Sequence, residues 1–85
     1  MENPFVEYGF NHSYNVAGCY SIAHLFKPDE RCGIYILSFQ NGYFYVGLAT
    51  DFVKRYTQHR KIHSDIQAVF LKELKRIIYQ KKKRN

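Results

Sequence analysis

Two short segments and the residues that follow them hold the side chains best suited to chemistry. Gly33-Ile34-Tyr35 is separated by nine residues from Tyr45-Val46-Gly47, and Arg55 follows eight residues after Gly47. Hydrolysing a phosphodiester takes a base to activate water, positive charge on the developing phosphorane, and usually a divalent metal on the leaving oxygen. Arg55 suits the second role, because a guanidinium stays charged and forks onto two phosphate oxygens. Tyr35 and Tyr45 can orient or deprotonate water, although a phenol titrating near about 10 needs a cation beside it to be effective. Arg55 or a metal would supply that cation. His59, one helical turn beyond Arg55, suits a proton carrier near neutral pH.

Taken singly, each of these residues has a structural reading. A tyrosine in a strand usually packs, an arginine on a helix is usually solvated, and a glycine such as Gly47 marks a bulge or a close backbone approach. Their joint order and spacing carry the functional reading.

The elements that must position these residues read clearly in the middle of the chain. Gly33-Ile-Tyr-Ile-Leu-Ser-Phe39 is rich in β-branched and aromatic residues, as is Tyr43-Phe-Tyr-Val-Gly-Leu48. Between them Asn41-Gly42 is the strongest two-residue hairpin signal. Alternation places Tyr43 and Tyr45 on one face of the return strand, Phe44 and Val46 on the other. A helix follows over roughly 51–62, with Thr50 as N-cap, Asp51 in the first turn, and Phe52 and Tyr56 on the inward stripe, with His59 a candidate to extend it. Arg55, His59 and His63 are four apart and share a face of it.

The rest reads less clearly. Ser64-Asp65-Ile66-Gln67 matches a capping box, and Ile66, Val69, Phe70, Leu74, Ile77 and Ile78 keep helical spacing, which favours one long helix. The same Ile66–Leu71 run also reads as a third strand followed by a shorter helix over 73–82. In residues 1–32, turn-forming Asn, Gly, Ser and Pro residues surround a segment that fits neither period, with a short helix or strand around 17–26. Lys27-Pro28-Asp29-Glu30 reads as a turn. Residues 1–32 are therefore taken as an N-terminal extension of a single domain over 1–85.

The chain has 85 residues, enough for one small domain that buries roughly 60% of its unfolded surface. Its 46% apolar content, with eight Tyr and seven Phe, is far from a disordered composition. No apolar run reaches the roughly 18 residues that span a bilayer, and no secretory leader is apparent, so a cytoplasmic protein is expected. Cys19 and Cys32 are then reduced thiols. His12, Cys19, His24 and Cys32 have no Cys-x-x-Cys knuckle among them, which argues against zinc.

Charge is unevenly placed. Residues 1–53 carry two Lys/Arg against five Asp/Glu, a balance of −3, whereas residues 54–85 carry eleven against two, a balance of +9. A basic half implies a polyanionic partner. Lys54, Arg60, Lys61, Lys81, Lys82 and Lys83 are the candidate contacts to nucleic acid.

Gly33-Ile34-Tyr35, Tyr45-Val46-Gly47, Asp51-Phe-Val-Lys54-Arg55 and Gln58-His59 together resemble the GIY-YIG nuclease family, over residues 33 to about 70. The resemblance implies a small α+β fold with an antiparallel β-hairpin extended to a three-stranded sheet and flanked by helices. It implies DNA endonuclease activity with Mg²⁺ or Mn²⁺, with Tyr35 and Tyr45 at the centre, Arg55 on the scissile phosphate, His59 assisting, and Gly33 and Gly47 as structural motif positions. It also favours a strand over 65–71. The family's metal-binding glutamate belongs on a helix near or beyond residue 85. The only carboxylates downstream of Arg55 are Asp65 and Glu73, and Glu73 is a weak metal candidate. A shortened member that cuts DNA is the leading expectation, as a monomer or weak homodimer. A non-catalytic nucleic-acid-binding module on the same fold is the alternative. A protein-interaction domain using Tyr8, Phe10, Tyr14 and Tyr20 is the third reading.

Overall fold

Alternating β-branched and aromatic residues on either side of Gln40-Asn41-Gly42 form the expected hairpin. The computed structural model describes residues 3–74. It contains strands β1 (His12–Asn15), β2 (Gly33–Phe39), β3 (Phe44–Ala49) and β4 (Ile66–Glu73), and one α-helix, α1 (Phe52–Ile62), between β3 and β4. The fold is α+β. All strand pairs are antiparallel, and the sheet order is β1-β4-β2-β3. Because β3 and β4 both run against β2, α1 carries the chain across β2 from one flank to the other.

The hairpin pairs Tyr35 with Gly47 and Leu37 with Tyr45. Its loop is longer than the two-residue turn suggested by Asn41-Gly42. The Gly42 amide donates to the Phe39 carbonyl at 3.0 Å, and the Phe39 amide donates to the Tyr43 carbonyl at 3.0 Å. Gly42 takes φ +91°, a left-handed conformation that glycine enters without steric cost.

Residues 66–73 form a strand, so the long helix favoured by periodicity does not form and Ser64-Asp65 caps nothing. β4 lies between β1 and β2 and is buried on both faces. Val69 and Leu71 face α1, while Ala68 and Phe70 meet Phe10 and Ile36 behind the sheet. A run buried on both sides shows no alternation, and periodicity cannot tell it from a helix. Any part of a helix over 73–82 beyond Leu74 lies outside the described residues.

Residues 12–32 belong to the domain rather than extending it. β1 adds a fourth strand, pairing His12–Asn15 with Ala68–Leu71. Short 3₁₀ turns at Ala23–Leu25 and Pro28–Glu30 bring Ile22 and Phe26 into the main core with Val16. Lys27 is extended, as Pro28 requires. Phe52, Val53 and Tyr56 of α1 close that core over Tyr35, Leu37, Val69 and Leu71. Tyr56 Oη donates to the Cys19 carbonyl at 2.6 Å and Arg60 Nε to the same oxygen at 2.9 Å, fastening the N-terminal segment to the helix. Cys19 and Cys32 are unbonded. Among the described residues no helix is long and apolar enough to cross a membrane.

Leu37 is fully buried at the centre of this core. Leu37→Ala should lower unfolding stability by about 2–5 kcal/mol in a urea titration. A loss below about 1 kcal/mol would contradict the packing described.

Candidate functional site

The site begins at Tyr35, in the middle of β2 with its side chain turned toward α1. The ring has no exposed surface. It lies 4.8 Å from the Phe52 ring at 27° and 6.0 Å from the Tyr45 ring at 27°. Its phenol crosses the backbone of Gly47, its partner on β3. A Cβ at position 47 would stand 2.5 Å from Tyr35 Oη and 2.8 Å from Cε1. Gly47 is thus required by close approach. Gly33 is required for the same reason, since a Cβ there would collide with the Lys72 carbonyl.

The helix brings the other groups. Asp51 is its N-cap, accepting from the Lys54 amide at 3.2 Å, so the capping role expected of Thr50 falls one residue later. The Phe52 amide donates to the Arg31 carbonyl, fixing the start of α1 to the loop before β2. With that start set, His59 Nε2 lies 2.8 Å from Tyr35 Oη, the bond direction following the imidazole tautomer. The His59 ring meets Tyr45 edge-on at 4.8 Å. Arg55, one turn earlier and exposed, acts on both partners of that bond. The four residues named from the sequence, Tyr35, Tyr45, Arg55 and His59, are therefore brought together.

Their charge states follow from burial. Desolvation holds His59 below its ordinary 6.5, and the positive charge of Arg55 and the neighbouring His63 push it further down. Desolvation likewise raises the Tyr35 hydroxyl, and Tyr45 adds to the rise, while Arg55 opposes it. At neutral pH the cluster holds a neutral imidazole, a neutral Tyr35 phenol and one fixed cation. Such a group accepts an anion without first expelling one.

The other candidates divide. Lys54 and Lys61 are exposed and, seven apart on α1, lie on one stripe. Arg60 is used internally. Besides holding Cys19, it lies 4.7 Å over the Tyr20 ring. Lys81, Lys82 and Lys83 lie outside the described residues. Glu73 turns toward β1, with Oε1 3.6 Å from His12 Nε2. Among the described residues no group of three His, Cys, Asp or Glu is arranged to hold a cation, and the Asp51 carboxylate is occupied by the helix cap. The sequence reading missed Phe52 as the platform beneath Tyr35. Its only signal was membership of the inward stripe, which marks core and platform alike.

Comparison of the chain with protein-family models, curated proteins and solved structures finds no match.

Gly47→Ala should displace the Tyr35 phenol, lower stability by about 1–3 kcal/mol, and let the His59 pKa rise toward 6.5 in an NMR titration. An unchanged melting temperature and titration would contradict the close approach. The pH dependence has a definite sign. The folded state holds His59 below 6.5, so the unfolded chain binds more protons from there down to the folded value. Stability should fall as pH drops through that window, and His59→Gln should flatten this part of the curve in urea titrations at successive pH values.

Proposed function

We propose that this chain is a DNA endonuclease of GIY-YIG type that hydrolyses a phosphodiester at the Tyr35–His59 pair. One observation carries the reading: a buried phenol bonded to a neutral imidazole, with an exposed guanidinium beside both. The tripeptide spacing of the sequence supports it independently.

Arg55 grips the non-bridging oxygens of the scissile phosphate and takes up charge as the phosphorane forms. The Tyr45 hydroxyl, on the partly exposed ring at the site mouth, orients the attacking water. Once bound substrate uncovers the Tyr35 hydroxyl, which has no exposed surface in the free protein, that water gives it a proton as the water oxygen bonds to phosphorus, and Tyr35 passes its own proton to His59 Nε2. The phosphorus–oxygen bond to the leaving group breaks, and the departing oxygen takes a proton from solvent. The shared hydrogen bond lets a phenol act as base without standing ionised beforehand. The resemblance implies Mg²⁺ or Mn²⁺, which would supply positive charge at the leaving oxygen.

A second reading is favoured by the pairing of Glu73 with His12 of β1, which engages that carboxylate. It is a non-catalytic nucleic-acid-binding module using Lys54 and Lys61. It predicts salt-sensitive DNA binding with no strand cleavage.

Plasmid nicking in Mg²⁺ or Mn²⁺, with an EDTA control, separates the two. Nicking is expected, with Arg55→Ala slower by about 10²–10³-fold, as for removal of one charge-stabilising donor. Its rate should drop on the acid side as His59 becomes protonated, at a pH below 6.5 because that group is depressed. Undiminished nicking by Arg55→Ala would defeat the catalytic reading.

A further inference from the structure

Tyr45 also lines a concavity, separate from the Tyr35–His59 pair, between the hairpin tip and the loop that follows α1. It encloses about 230 Å³. Five of the residues lining it are rings: Phe39, Tyr43, Phe44, Tyr45 and His63. The other two, Asn41 and Asp65, are polar. The volume falls short of the roughly 300–1,000 Å³ typical of pockets for drug-sized ligands. It suits one planar group.

Local structure holds the cleft together. The Gln40 amide donates to the Asp65 carbonyl at 3.0 Å, joining the hairpin loop to the entry of β4. The Phe39 and His63 rings meet at 5.3 Å and form one wall. Asn41 Oδ1 accepts from the Tyr43 amide at 3.0 Å, which leaves the amide nitrogen of that side chain as a donor. Asp65 supplies an acceptor. Tyr43 is 72% exposed immediately before β3, and its ring lines the cleft together with that of Tyr45 two residues on.

We propose that this cleft receives one unstacked nucleobase from the nucleotide adjoining the scissile phosphate, and that the preferred substrate is DNA carrying an unpaired nucleotide. The proposal rests on the phosphodiester reading of the neighbouring site. Tyr45 belongs to both sites, touching His59 on one side and lining the cleft on the other, so a base held there has its own backbone within reach of Arg55. The Asp65 carboxylate disfavours phosphate inside the cleft and accepts from an exocyclic amino group, which orients the nucleotide base-inward. A paired base cannot enter without being unstacked, a cost that is least where pairing is already absent. Selectivity for unpaired positions follows from that difference.

The test measures binding in EDTA, where cleavage is not needed for the readout. Fluorescence anisotropy compares a duplex bearing a single-nucleotide bulge of 2-aminopurine with the same duplex fully paired. The bulged duplex should bind more tightly by about 5- to 150-fold, the range for stacking one base on an aromatic side chain. Its 2-aminopurine emission should be quenched on binding. Tyr43→Ala, at an exposed position and checked by thermal melting, should abolish the preference and leave affinity for the paired duplex unchanged. Arg55→Ala should weaken both duplexes alike. Equal affinity for the two duplexes, or a preference that survives Tyr43→Ala, would overturn the cleft while the Arg55→Ala effect persists. Loss of the Arg55→Ala effect would instead overturn the phosphate reading.

Discussion

The Tyr35 phenol, laid across the bare backbone of Gly47 and bonded to His59, ties the sheet to the helix. Its ring is enclosed by Phe52 and Tyr45, so its hydroxyl must find a partner inside the protein. A buried hydroxyl left without one would cost about 1–3 kcal/mol. His59 meets that need, and in doing so fixes how α1 sits over the hairpin. Asp51 at the helix start and the Arg31 carbonyl set the same position from the other end. The structural and chemical demands on His59 are therefore one demand.

Electrostatics at this junction favour an incoming anion. Burial moves both members of the pair toward their neutral forms; Arg55 adds to that at His59 and opposes it, without reversing it, at Tyr35. Arg55 is exposed, so solvent screens its effect on the free protein. Shielded from water, the same guanidinium would hold a phosphate far more strongly than it could in bulk solvent. One cation beside two neutral groups that can pass a proton supports the proposed phosphodiester hydrolysis.

Local signals made much of this legible in advance. The hairpin, α1 and the convergence of Tyr35, Tyr45, Arg55 and His59 all depend on residues close in sequence, where a two-residue alternation or a four-residue spacing fixes facing directly. β4 was obscured because Ile66–Leu71 is apolar on both faces, and an interior strand loses the alternation that would identify it. β1 was invisible for a related reason. His12–Asn15 is short and polar, and it becomes a strand only because β4 offers an edge more than fifty residues away. The helix cap moved from Thr50 to Asp51, a shift of one residue between two good capping types. The cleft beside Tyr45 had no signal at all, since Tyr43 and Asp65 are joined only by the fold.

NMR of the His59 imidazole during titration with a short single-stranded DNA in EDTA tests the central claim most directly. A phosphodiester seated against Arg55 neutralises one of the charges that depress His59, so its pKa should move up toward 6.5 on saturation, and by less in Arg55→Ala. A His59 titration that stays the same in the presence of saturating DNA would show that the phosphate lies elsewhere.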